Sequence, residues 1–333
     1  MNFTRYLFLV LMLAPTLVAA APLPLTAKAM VPLPGRTTRF DYQSEDPGSG
    51  LLFFSHMGDG TLLVFDTRSS KVVKELTGFP LDTGVNMVPA LGRVYISVTG
   101  SKQGEVAVLD AKTLTVLARI PAGRFPDGSA YVPSLEQLYV SDESGQEEIV
   151  IDTKMNRLLA TLPLGGEAGM SAYDPVTGHV LVNVQSRRQM VEIDPKTRQF
   201  VGLIALPSSC DHNHGLLLYP GRRLAFIACD GNARLLVLDL TSHRVRDVLP
   251  TGEDPDVLAL DEKRGLLYVA SESGVLSVYK VEDGRVTLLS QGDAGDNAHT
   301  VSVDPETGLV YLPIRNQDGH PALKIMAPVA VVH

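Results

Sequence analysis

The chain has 333 residues, with 37 Asp and Glu against 29 Lys and Arg, and a formal charge of −8 at pH 7. No Lys/Arg run is long enough to track a phosphate backbone, so this balance excludes nucleic acid and anionic membrane surfaces as natural partners. Length alone would suggest two domains, although one repetitive all-β domain can absorb as many residues.

The chain opens on a targeting pattern. Arg5 is the only charge among the first 20 residues, and an apolar run from Tyr6 to Leu13 leads into Thr16, Leu17, Val18, Ala19 and Ala20. This order of charged, apolar and small residues is that of a secretory signal peptide. Cleavage after Ala20 fits best, because Val18 and Ala20 are small and a cut after Ala21 would leave Pro22 at the new terminus. Loss of Arg5 takes the charge from −8 to −9. The apolar stretch is short for a membrane span and contains Pro15, no Cys stands near the cleavage site to carry a lipid, and no later apolar run approaches ~20 residues. The expected product is residues 21–333, secreted or periplasmic, with no membrane anchor.

From there a period of about 42 residues governs the chain. One element is an apolar strand ending in Asp, then a polar turn and a second strand: LLVFDTRSSKVVKEL, VAVLDAKTLTVLARI, EIVIDTKMNRLLATL, MVEIDPKTRQFVGLI and LLVLDLTSHRVRDVL. The aspartates are Asp66, Asp110, Asp152, Asp194 and Asp239, spaced by 44, 42, 42 and 45 residues, and a sixth copy has Lys280 in that place. Asp suits such a turn because its carboxylate accepts backbone N–H bonds from residues just ahead. The other element is a hairpin with a turn rich in Pro, Gly and Asp, as in AYDPVTGHVLVNV and LALDEKRGLLYVAS. Two hairpins per repeat make four antiparallel strands, the unit of a propeller blade, and no segment carries a long helical period. The expectation is an all-β, seven-bladed β-propeller in a single domain. Repeats begin near Thr37, Gly78, Pro121, Pro163, Ala205, Pro250 and Gly292, and the last stops after its third strand, so residues 27–33 are expected to supply its fourth and close the ring.

The segments VYISVTGS (94–101), LYVSDESG (138–145) and LYVASESG (267–274), each followed by an apolar strand, resemble the Tyr-Val-Thr-Asn (YVTN) repeat family of β-propellers, of which the YncE-like periplasmic proteins are nearest. The resemblance covers nearly all of the mature chain, although the four-letter motif is never present unaltered; Tyr139-Val140-Ser141-Asp142 comes nearest. It implies the propeller fold. It leaves function open, since the family includes binding proteins, surface-layer components and relatives of lactonases. The absence of CxxCH excludes covalent c-type haem, and no nucleophile elbow, P-loop or HExxH is present.

In a propeller the first strand of each blade lines the central channel, so the residue where it begins recurs around one rim. Counting back six residues from Pro47, Pro89, Pro133, Pro175, Pro220, Glu262 and Pro305 gives Asp41, Thr83, Asp127, Gly169, His214, Asp256 and His299. Imidazole with carboxylate suits a divalent transition metal such as zinc, manganese or iron; the same groups suit acid–base work, or simply a hydrated polar mouth. Blades 5, 6 and 7 are adjacent, so His214, Asp256 and His299 form the expected metal or ligand centre, with Asp127 and Asp41 facing them.

Blade 5 carries Ser209-Cys210-Asp211-His212-Asn213-His214-Gly215 and then Cys229-Asp230-Gly231-Asn232. In an oxidising compartment the two cysteines are most simply a disulfide pinning the loop with His212 and His214; the competing reading is a soft copper or zinc site of Cys210, Cys229, His212 and His214. Weaker candidates are His56, Glu272 and His320, placed in loops after second strands, and Arg39, Asp254 and Asn297 beside ring positions. Two function classes follow: a non-catalytic periplasmic propeller holding a small ligand, metal or partner protein, and a metal-assisted, lactonase-like hydrolase or lyase using the same site.

Overall fold

The computed structural model describes residues 22–100 and 103–329; the segment read as a signal peptide lies outside them. The described residues form seven four-stranded antiparallel sheets. In blade 1 the strands are Gln43–Asp46, Leu51–His56, Thr61–Asp66 and Lys71–Thr77, and the same order repeats to blade 6, which ends with Arg285–Asp293. Helical structure among them is limited to three-residue 3-10 turns, and no helix is long and apolar enough to cross a membrane.

The layering explains the hydrophobic pattern. Second and third strands such as LLFFSH and TLLVFD are buried at almost every position, because a neighbouring blade covers each face. Outer strands such as Arg244–Pro250 alternate between exposed and half-buried, the pattern of a sheet wetted on one side. The core therefore sits in seven seams between blades. Phe53, Leu62 and Val64 of blade 1 pack on Val94 and Ile96 of blade 2, and Phe54 and Phe65 on their other face meet Tyr311, Leu323 and Ile325 of blade 7.

Blade 7 contains Ser302–Val303, Val310–Gln317 and His320–Pro328, and its outer strand is Leu25–Pro32, paired antiparallel from Leu25↔Pro328 to Pro32↔Ala322. The closing strand thus begins two residues before the expected 27–33. Leu25 is buried in the seam between blades 6 and 7 and Leu33 in that between blades 7 and 1, so the strand is fastened at both ends.

The turn aspartates act as their chemistry dictates. Asp66 Oδ1 accepts from the N–H groups of Arg68 (2.8 Å) and Ser69 (3.2 Å). Asp110, Asp152 and Asp239 repeat the pair, and Asp194 accepts from Lys196. Where Lys280 replaces Asp, its ammonium reaches Arg264 O instead (3.0 Å).

One carboxyl is buried in a seam away from the channel mouth. Glu148, on the third strand of blade 3, accepts from Ser171 Oγ of blade 4 (2.8 Å) and lies 3.4 Å from Ser141 Oγ. Burial pushes its carboxyl up to about 8, the two serine bonds opposing.

Removing residues 21–34 exposes the edge of His320–Pro328; the truncated protein should melt at least ~5 °C lower and aggregate, and an unchanged melting curve would exclude the closing role. For Glu148, the folded state keeps a proton that the unfolded chain releases near 4.5. Its contribution is complete below that pH, declines as pH rises, and is lost above about 8. Glu148→Gln should therefore gain on the parent by ~2 kcal/mol or more between pH 5 and 9 in urea unfolding. Parallel pH dependence of the two proteins would refute the buried acid.

Candidate functional site

The channel mouth is built by a repeated irregularity. In blades 2 to 6 the ladder between first and second strands slips by one residue, as from Pro126↔Asp142 to Ser129↔Val140 and from Pro255↔Ser271 to Leu258↔Val269. A bulge of this kind takes the extra residue out of the ladder and re-aims it, and Thr83, Asp127, Gly169, His214 and Asp256 occupy it. In blades 1 and 7 the first strand starts late, at Gln43 and Ser302, leaving Asp41 and His299 ahead of it. Close nesting fixes the blades relative to one another: a Cβ on Gly84 would lie 2.0 Å from Asp127 O, and one on Gly215 2.3 Å from Asp256 O. These glycines, one residue after the ring, are a sequence signal that the ring count passes over.

Asp256 is the centre. Its Oδ1 lies 3.4 Å from His214 Nε2, and its Oδ2 3.9 Å from both His299 Nε2 and Arg39 Nη2. Asp41 Oδ2 is 3.6 Å from Arg39 Nε, and Arg39 Nη1 is paired with Glu272. Ligand atoms of Asp41, Asp256 and His299 all lie within 4.8 Å of one another, and all three residues are buried. His214 stands outside that group. Its Nε2 meets Tyr42 Oη (2.9 Å), with Asp127 Oδ2 at 3.7 Å, and its Nδ1 is 2.7 Å from Gln185 Oε1.

The two histidines are held in different states. Gln185 donates through Nε2 to Glu143 (3.0 Å), so its oxygen faces His214, whose Nδ1–H donates to it. Burial opposes charge on His214, but the Asp256 hydrogen bond and the charges of Asp256, Asp127 and Glu143 raise it to about 10. His299 donates from Nδ1 to Asn297 O (2.9 Å) and is fully buried. Its Nε2 therefore carries the lone pair, with no hydrogen-bond partner among the described residues. Burial lowers its pKa against the pull of Asp256.

The carboxylates divide likewise. Burial works against charge on Asp256, yet His214, then His299 and Arg39, hold it down near 2. Burial raises Asp41 to about 7 despite Arg39, and Asp127 to about 8 despite His214.

Tyr42 closes the floor. Its hydroxyl lies within 3.4 Å of His214, Asp127 and Asp256, and Tyr42 and Asp256 line both an outer cavity of about 340 Å³ and a second, of about 510 Å³, that runs along the first strands. The outer cavity is lined also by Met57, Phe125, Glu143, Asp230, Asp254 and Glu272. Glu143, Gln185, Asp230 and Glu272 follow the second strands of blades 3 to 6 and form a second ring, each backbone N–H donating to the residue two before the ring position. Of these, the sequence pointed only to Glu272, since exposed polar residues in such loops carry little signal; Tyr42 escapes it because the rim count takes one position per blade and Tyr42 stands one residue after Asp41.

Cys210 and Cys229 form a disulfide with Cα atoms 5.3 Å apart, buried in the seam between blades 4 and 5. That removes the soft-metal reading, since neither thiol is free. The bulge sets the register so that Cys229 pairs with Asn213. His212 Nδ1 lies 2.8 Å from both Asp230 oxygens, and its Nε2 3.5 Å from Glu167, at the cavity rim rather than against Asp256. Its positive φ of 56° is a feature of the repeat, shared by Leu81, Asp254 and Asn297 two residues before their ring positions.

The remaining candidates separate. Thr83 Oγ1 donates to Pro126 O (2.8 Å), and a side chain at Gly169 would meet His214 O at 2.8 Å, so both serve packing. His56 is not a loop contact: it ends the strand Leu51–His56, fully buried and stacked on Phe40 at 4.2 Å. His320 is exposed at the start of the third strand of blade 7. Asn297 orients both His299, through its carbonyl, and Glu272 Oε2, through its amide (2.7 Å).

No family model and no curated protein sequence matches the chain, so the likeness to the YVTN repeat proteins stands as a resemblance. Solved structures do match. Hydrazine synthase of Kuenenia stuttgartiensis aligns at 14% identity and TM-score 0.73 over 94% of this chain and 98% of that one. The WD40 repeats of RRP9 align at 11% and 0.74 over 91% and 99%, and a chain of a mitotic checkpoint complex at 10% and 0.76 over 98% and 99%. At such identities the likeness establishes the propeller scaffold and nothing about the ligand.

Proposed function

We propose that this protein is a cation-binding propeller of an extracytoplasmic compartment, related to the YncE-like periplasmic proteins, whose channel mouth holds one divalent transition ion on Asp41, Asp256 and His299. The observation that carries this reading is His299 Nε2: an unprotonated, fully buried nitrogen without a protein partner among the described residues, facing two carboxylates within 4.8 Å. An orphaned buried acceptor costs about 1–3 kcal/mol, and a cation removes that cost. One imidazole and two carboxylates suit zinc, manganese or iron, and three protein ligands leave open positions for a small molecule. The disulfide and the leader-like residues 1–20 support export.

A second reading, the metal-assisted hydrolase or lyase, draws support from the Glu143–Gln185–His214 chain, which aims a second imidazole at the same carboxylate. There the ion would polarise a carbonyl or activate water, with His214 or Asp127 moving the proton.

Untagged protein, stripped with chelator and titrated with zinc or manganese, should bind one equivalent. His299→Ala and Asp256→Asn should each weaken binding at least ~100-fold while leaving the far-ultraviolet β spectrum intact. Failure of the parent protein to bind, or full affinity in His299→Ala, would overturn the proposal.

A further inference from the structure

We infer that the ion's open positions take a small carboxylate-bearing molecule, held by Arg39; this rests on the cation reading above. Arg39 stands against the same two carboxylates as the ion. Its Nε lies 3.6 Å from Asp41, beyond hydrogen-bond reach, and its Nη2 3.9 Å from Asp256. Only Nη1 is strongly engaged, with Glu272. Nε is buried and has no hydrogen-bond acceptor among the described residues, while the side chain as a whole is 37% exposed and lines the outer cavity. The site thus presents an orphaned acceptor, His299 Nε2, and an orphaned donor, Arg39 Nε–H, around one pair of carboxylates. A cation alone satisfies the first. A metal-bound oxygen ligand satisfies the second as well, and the planar guanidinium matches a carboxylate in shape and charge.

Charge makes the two events sequential. The cavity sets Asp41, Glu143, Asp230, Asp254, Asp256 and Glu272 against the cations Arg39 and His214, a surplus of carboxylates that disfavours a further anion. A divalent ion neutralises Asp41 and Asp256, leaving Arg39 with Glu272 as its remaining close carboxylate. The ion and the guanidinium then face the same space. At about 340 Å³, with Met57, Phe125 and Pro255 in its walls, the cavity accepts a short organic acid rather than a polymer. Binding needs no covalent step: the carboxylate displaces water from the ion and accepts from Arg39.

Cobalt(II) is a suitable probe because its visible spectrum reports its ligands. Succinate, acetate and inorganic phosphate are titrated separately into apo protein, cobalt-loaded protein and cobalt-loaded Arg39→Gln, following the spectrum and the heat. The expected result is a spectral change and binding heat for the carboxylates in loaded protein, at least ~10-fold weaker affinity in the apo form, and a ~10–100-fold loss in Arg39→Gln. Arg39→Gln should bind cobalt more tightly than the parent, because a positive charge beside the ligands has been removed. Protein that takes up no cobalt brings down the cation reading and this inference together. Cobalt uptake with no response to carboxylate overturns the inference alone. So does equal carboxylate affinity in apo and loaded protein, a comparison that needs no variant, as do undiminished affinity in Arg39→Gln and a response to phosphate only.

Discussion

No blade has a core of its own. The second and third strands are buried on both faces, and the covering surface always belongs to the next blade, so each sheet is stable only as a member of a closed ring. Leu62 and Val64 point into one seam while Leu63 and Phe65 point into the other, and a one-residue slip would exchange both sets at once. This two-sided burial is why the N-terminal segment returns to pair with His320–Pro328. An incomplete seventh blade would leave a bare strand edge and an incompletely covered seam beside Phe40 and Phe54.

Closure in turn makes the site possible. Identical register brings the same position of each blade to one rim, and the ladder slip there frees that residue to turn toward the axis. Chemistry then depends on which residue stands at each position. Thr83 and Gly169 serve the seams, whereas Asp41, Asp127, His214, Asp256 and His299 converge through Asp256, Arg39 and Tyr42. Residues far apart in sequence meet because ring closure brings the mouths of blades 6 and 1 together across blade 7: Arg39 and Glu272 are 233 positions apart and in direct contact.

What sequence can show follows from this division. The repeat, the turn aspartates, the closing strand and the residues at the rim are periodic, and periodicity is visible in one sequence. The partners of the rim are not all of that kind. Tyr42 owes its importance to reaching His214 and Asp127 across the channel, a distance set by the ring radius rather than by spacing along the chain. Gln185 matters because its amide is oriented by Glu143, a relation between blades. The metal group expected from adjacency, His214 with His299 and Asp256, assumed that neighbouring blades supply neighbouring ligands. The atoms that actually crowd together come from Asp41, Asp256 and His299, because His214 is drawn toward Tyr42 and Gln185 on the far side of Asp256.

Part of the cost of the site falls on the arc of blades 7 and 1. Arg39 Nε, Asn297 Oδ1, His299 Nε2 and Thr300 Oγ1 are buried without hydrogen-bond partners among the described residues, and all belong to the mouths of blades 7 and 1. These are the two blades whose first strands start late, so their leading residues lack the backbone ladder that directs the equivalent residues elsewhere. Across the channel, His214 is saturated by Gln185, Tyr42 and Asp256. Unpaired buried atoms also occur on Asp82, Asn183, Asn213 and Tyr268, so what distinguishes this arc is the contrast between two imidazoles. Here one imidazole is equipped with every partner it can use and the other is denied one, on opposite oxygens of a single carboxylate. An unpaired buried nitrogen facing two carboxylates is the feature that the proposed cation would account for.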